Sequence, residues 1–349
     1  MDKDILQERL DGLCERGGRL ELAAGAYERE RPLWLDGSGI CLSGECWACN
    51  TDPNGVFETR WGSKLRMRGT DYAAICIGRT CDPISGAAVR ELGVQGDIPG
   101  MDTRPLVNAQ EPWRASGLCL DAVRTDQCEF SRLSFCGLAN GVYVGGAAEV
   151  DACVFEKINV DGCANGFYFA PQASYYAHIR QCVIADNPYY GIYVKGRGRM
   201  HNLEIFDNHL VRNGGCFTDE QEGAAIFLDG AQACDVCRNL IDAPGVYWHY
   251  PDGATRNDER QPSRRTTVGL RVKGNGNRIR DNVFRNGTQA MLVEGDGNVI
   301  LNNLCDGDIE VRGQGNVVHN VIFTKPQARL IVAGEATVMG VPQERIIRR

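Results

Sequence analysis

The stretch NGVYVGG (residues 140–146) returns as NGFYFAP (165–171) and again as YGIYVKG (190–196). This recurrence decides the fold. Taking the middle residue of each short apolar triplet as a marker gives Cys119, Tyr143, Tyr168, Tyr193, Phe227, Arg271, Leu292, Glu310 and Ile331. Successive gaps are 24, 25, 25, 34, 44, 21, 18 and 21 residues. The segments alternate with period two and break at Gly, Asn and Asp, which excludes a helical solenoid. Short strands in repeats of about 22 residues stack as a parallel β-solenoid, each coil about 4.8 Å from the next.

A second apolar segment follows each triplet and often holds an asparagine: Asn187, Asn208, Asn239, Asn282, Asn303 or Asn320. Asparagine tolerates left-handed backbone at a bend and can bond to the asparagine of the next coil. The six are expected to form one ladder. Cys128, Cys153, Cys182 and Cys234 are expected to form one interior stack. The predicted fold is all-β, a single-stranded parallel β-helix with a short N-terminal capping helix. DILQERLDGLCERGG (residues 4–18) supplies that helix, which would cover an otherwise open sheet edge. Residues 1–30 read as cap helix and first strand, 31–332 as the solenoid, and 333–349 as a tail or subunit contact.

The net charge of −7 disfavours a phosphate-binding surface, so no nucleic-acid partner is expected. No apolar run is long enough to span a membrane, and the polar, acidic start is unlike a secretion signal. The chain therefore reads as cytoplasmic, with its 16 cysteines reduced and used as small buried apolar residues. CWAC (46–49) and CDVC (234–237) have metal-ligand spacing but lack two further ligands, so neither metal nor cofactor is expected.

GGRLELAAGAYERERPLWLDGSGICLSG (17–44), followed by stacked coils, resembles the pectate-lyase-like right-handed parallel β-helix superfamily. The order of WGSKLRMRGTDYAAICIG, ELGVQGDIPG, SGLCLDA and TTVGLRVKGNGNRIRDNVF further resembles the inulin fructotransferase and difructose dianhydride III hydrolase family, glycoside hydrolase family 91. The resemblance implies a right-handed β-helix acting on a fructan-derived sugar. It places no catalytic residue on this chain.

The residues themselves locate a candidate site. The extra lengths at 213–223 and 242–267, and the long stretch 96–116, all precede the marker strand of their coil. Insertions at one phase leave one edge, so the three should wall a groove floored by Tyr143, Tyr168 and Tyr193. Alternation turns Tyr143, Tyr168, Tyr193 and Phe227 outward, as an exposed stripe for stacking sugar rings or a neighbouring subunit. Cleaving a glycosidic bond takes two carboxyl groups. Asp97, Asp102, Glu111, Asp219, Glu220, Asp252, Asp258 and Glu259 lie in the insertions. Glu222 and Asp229 lie nearest the aromatic floor and are the expected catalytic pair. Lys195, Arg271, Trp248 and His249 join the aromatics as expected substrate contacts, with Tyr250 beside them. The expected function is cleavage or rearrangement of a short oligosaccharide. A polysaccharide lyase using Lys195, Arg271 or Lys273 fits the same residues, as does a non-catalytic, phage-fibre-like sugar-binding trimer. By analogy with other β-helices, a homotrimer is expected.

Overall fold

The computed structural model describes residues 4–46, 50–51, 57–58, 62–79, 82–97, 103–121, 123–196, 202–214, 223–244 and 268–349. The chain winds as a parallel β-helix. One sheet of 12 strands stacks the marker triplets, from Leu33–Leu35 to Ile346–Arg348. A second sheet of 23 strands turns a corner and forms the remaining sides. From residue 140 to 323 each coil gives one strand to the first sheet and two to the second, as in Asn140–Val144, Glu149–Glu156 and Asn159–Asp161. All the marker residues pair directly, Cys119 with Tyr143, Tyr143 with Tyr168, Tyr168 with Tyr193, and so on to Glu310 with Ile331.

Alternation fills the interior. Val142, Val144, Phe167, Phe169, Ile192 and Val194 flank the markers and are fully buried. Phe130 stacks on Phe155 with centroids 5.1 Å apart, and Phe167 and Phe169 meet Phe155 edge-on. Burying each such side chain contributes about 1.5–3 kcal/mol.

The corners correct two expectations. Asn208, Asn239, Asn282 and Asn303 form a buried ladder, each Nδ2 donating to the next Oδ1 at 3.0 Å. Asn187 belongs to a different corner and bonds Asn213 instead. Asn320 is exposed and pairs with Asn302. Left-handed backbone falls one residue before the ladder, at Asp207, Arg238, Asp281 and Asn302, with φ between 53° and 59°. The ladder asparagines thus hold the turn through their amides, while exposed neighbours take the strained dihedral. The cysteines divide likewise. Cys128 and Cys153 lie side by side, and the column continues through Ala177 and Leu203 to Cys234. Cys182 sits at the next corner, beside Asn208.

The N-terminal helix, Ile5–Asp11, packs Leu10 into the core. Its Gln7 amide bonds both edge groups of Trp34, accepting from the backbone N–H at 2.8 Å and donating to the carbonyl at 3.1 Å. A side chain thereby stands in for the missing strand at the first rung. Asp4 caps the helix and receives both Arg29 terminal nitrogens, at 2.8 and 2.5 Å. The Arg29 bonds hold the Asp4 carboxyl below its ordinary value of 3.8, against the opposing effect of burial. A lowered carboxylate stabilises the fold above its unfolded value, and the contribution is lost as pH falls through the folded value. Amide exchange over the helix, taken relative to the intrinsic rate at each pH, should therefore accelerate only below about pH 3.8. In Asp4→Asn it should be fast at neutral pH and show no such transition.

The far end also differs from expectation. Residues 333–349 are no tail. Ala336–Met339 pairs with Asn316–His319, and Ile346–Arg348 adds the last rung beside Leu330–Val332.

Candidate functional site

Outside the solenoid core, on the outer face of the 12-stranded sheet, the aromatic markers form clusters of their own. The Tyr143 and Tyr168 rings lie 5.4 Å apart, Tyr168 meets Tyr193 edge-on at 5.0 Å, and Tyr193 meets Phe227 at 5.5 Å. Tyr190 stacks on Tyr193 at 4.9 Å. The outward direction is as the alternation requires, but the stripe is not exposed. Tyr143, Phe227 and Tyr193 keep only 3%, 6% and 9% of their surface, and Tyr168 is half-buried. The rings cover one another and work as packing, so an open sugar platform along the whole stripe is ruled out in this conformation.

What the stripe does is hold a carboxylate. Tyr193 Oη donates to Asp229 Oδ2 at 2.8 Å. Burial, reinforced by that bond, pushes the Tyr193 phenol far above its ordinary ionisation range, so it remains a donor. Burial likewise raises Tyr190 to about 12. In a phenolate absorbance titration, the difference between wild type and Tyr190→Phe should therefore show a midpoint near 12 and nothing at pH 10. A midpoint at 10 would mean the ring is solvated.

Asp229 is flanked by cations along the same outer column. Lys195 pairs with it in the preceding coil. Lys273 follows in the next, its backbone bonded to Leu228 and its ammonium 5.4 Å from the Phe227 ring. Both lysines are exposed. Arg271 faces outward too but is 8% exposed and committed. It grips Glu294 at 2.8 and 3.3 Å and lies 5.3 Å from the Phe227 centroid. Glu294 was not singled out from the sequence. Its signal was its position two residues after Leu292, as Lys273 stands two after Arg271. A carboxylate clamped by one arginine, with Arg312 nearby at 3.8 Å, suits anchoring rather than proton transfer.

Of the other nominated residues, Glu111 pairs with Arg114 at 2.6 Å. Glu222, Trp248 and His249 lie outside the described residues, as do Asp102, Asp219, Glu220, Tyr250, Asp252, Asp258 and Glu259. Much of the three insertions lies there too, but their points of departure are clear. Each leaves the 23-stranded sheet, after Ala88–Gln95, His209–Val211 or Leu240–Asp242, and returns at a strand of the 12-stranded sheet. All three therefore depart from one corner of the coil. Among the described residues no group of three or more His, Cys, Asp or Glu could hold a metal, and no helix is long and apolar enough to cross a membrane.

The chain is a right-handed parallel β-helix: the family model "Right handed beta helix region" matches residues 121–241. No curated protein matches the sequence. Among solved structures, one similar fold is DFA-IIIase from Arthrobacter chlorophenolicus A6 in complex with GF2, with TM-score 0.71, 14% identity, and 95% of this chain and 86% of that chain covered. The C387A mutant of the same enzyme in complex with DFA-III has TM-score 0.71 and 13% identity over 99% and 94% of the two chains. ORF18 of Geobacillus virus E2 has TM-score 0.60 and 14% identity, over 95% of this chain and 57% of that one.

Proposed function

We propose that this protein is a carbohydrate-active enzyme that cleaves or rearranges a glycosidic bond in a short oligosaccharide, with fructan-derived sugars as the first candidates. The observation that carries the reading is Asp229, held by the Tyr193 hydroxyl and flanked by Lys195 and Lys273 on the outer face of the 12-stranded sheet. Likeness in fold to DFA-IIIase bound to GF2 and to DFA-III supports the choice of sugar. Lys195 and Lys273 place positive charge on both sides of the carboxylate, which suits a nucleophile or a base for water. The general acid is assigned to Glu222, seven residues before Asp229 in the sequence and ahead of the strand Ala224–Asp229. Oligosaccharide is the partner, and a homotrimer is the assembly to test by light scattering.

A screen of difructose dianhydrides, inulin oligomers and uronate oligomers tests the reading. Product from a fructan substrate supports it. An unsaturated uronate product would instead make Lys195 and Lys273 a lyase's cations. The burial of the outward aromatic stripe favours one further reading, a non-catalytic fibre segment. Sugar binding without turnover across the whole screen would support that one.

A further inference from the structure

An open aromatic surface lies on the 23-stranded sheet, not on the marker stripe. Tyr175 and Tyr176 are 42% and 44% exposed, in the strand Ala173–Arg180. Strict alternation would turn one of two adjacent residues inward. Here Ser174 and Ala177 are fully buried, and both tyrosines face out between them. The register against the preceding coil shifts on either side of the Asp151–Tyr176 pair, as at a β-bulge. Bulges bend a strand and re-aim its side chains. Neighbouring coils take this bend differently. Ala152, Asn202 and Ala233 stand just before the interior residues Cys153, Leu203 and Cys234, and hold left-handed backbone with φ of 49°, 56° and 53°. Tyr176, just before Ala177 in the same column, lies within a strand instead.

The surroundings define what such a surface can hold. Tyr176 meets His178 edge-on with centroids 4.6 Å apart, and His178 meets Phe206 at 5.4 Å, which steadies the ring. Burial lowers the His178 imidazole below its ordinary 6.5, so it adds no charge at neutral pH. The nearby cations are committed, Arg180 to Glu156 at 2.7 Å and Arg238 to Asp207 at 2.8 Å. Glu204 pairs with His178 in the next coil and keeps a half-exposed carboxylate, 3.5 Å from His178 Nε2. Asp151 pairs with Tyr176 in the preceding coil and meets Arg124 at 4.0 Å. Open aromatic faces between carboxylate acceptors suit the C–H faces and hydroxyls of a neutral sugar. The same carboxylates repel an anionic chain.

Size decides between a sugar and a protein partner. A tyrosine side chain offers about 150–250 Å² of surface. At 42% and 44% exposure the pair leaves roughly 130–220 Å² open. A specific protein interface takes about 800 Å² from each partner. The open area is instead on the scale of a sugar ring at each tyrosine. We infer that the Tyr175–Tyr176 bulge is a second sugar-binding surface, taking a short stretch of neutral oligosaccharide on the flank of the coil. It lies on a different sheet from Asp229 and stands whether or not Asp229 is catalytic.

NMR titration of the full chain with isotope-labelled tyrosine rings tests it, using inulin, cello- and malto-oligosaccharides as neutral probes. Tyr175→Phe and Tyr176→Phe assign the two ring signals. At least one neutral probe should shift both signals saturably. Replacing both tyrosines by alanine should weaken that binding about tenfold or more, while either Phe variant keeps most of it. Oligogalacturonides should bind more weakly than the best neutral probe. If the double alanine variant does not fold, the wild-type signals and the Phe variants decide alone. Ring signals untouched by every neutral probe overturn the surface. So does equal or stronger binding of oligogalacturonides, or of choline, whose ammonium would also sit on an aromatic face. A mass that falls to the monomer in the double alanine variant overturns it too, by making the tyrosines a subunit contact. None of these outcomes bears on Asp229, whose test is turnover.

Discussion

Replacing Asp229 by asparagine should leave a folded β-helix whose turnover of its oligosaccharide is about 10²–10⁴-fold lower. The substitution keeps the size of the side chain and an acceptor for the Tyr193 hydroxyl, which now bonds Oδ2 at 2.8 Å. It removes only the charge that Lys195 and Lys273 flank. Stability should therefore change little, because Asp229 is half-buried at the end of its strand rather than in the core. The measurement is kcat beside a denaturation midpoint. A variant that keeps full kcat would remove Asp229 from the chemistry. Loss of both kcat and the midpoint would make the Tyr193–Asp229 bond a structural strut.

The second large effect concerns folding. Asn239 joins two coils through four bonds. Its Oδ1 accepts from the Asn208 backbone and side chain, and its Nδ2 donates to the Ile205 carbonyl and to Asn282. Asn239→Ala removes all four bonds in a site 1% exposed; Asn208 Nδ2 keeps Ile179 and Asn282 Oδ1 keeps the backbone N–H of residue 239, but the Asn208 backbone N–H loses its acceptor and a polar void is left. Each unsatisfied buried group costs about 1–3 kcal/mol, so a loss of about 3–5 kcal/mol is expected after relaxation. Chemical denaturation checks it. Asn320→Ala is the control, since Asn320 is exposed and bonds only one neighbouring amide. A loss for Asn239→Ala no larger than for the control would mean that water replaces the ladder freely.

The winding of the chain was legible because period-two alternation assigns every residue to a face without knowledge of its neighbours. That logic placed the marker column in register over its whole length, including across the gaps of 34 and 44 residues. It could not foresee the burial of Tyr143, Tyr193 and Phe227. Whether an outward ring is covered depends on what lies over the sheet, and alternation carries no information about that. Asn187 and Cys182 failed for another reason. A coil has several corners and its length varies, so similar spacing does not guarantee the same corner. The Arg271–Glu294 clamp joins residues of successive coils, and becomes visible only when the register is known.

The shared departure point of the three insertions has a practical outcome. Each coil's backbone bonds reach only the coil above and the coil below, so added length at that bend leaves the ladder on either side intact. Excursions grafted there from a β-helix of different specificity would change what the surface grips while thermal resistance stayed with the untouched stack. The scaffold is in that respect a socket with interchangeable fittings.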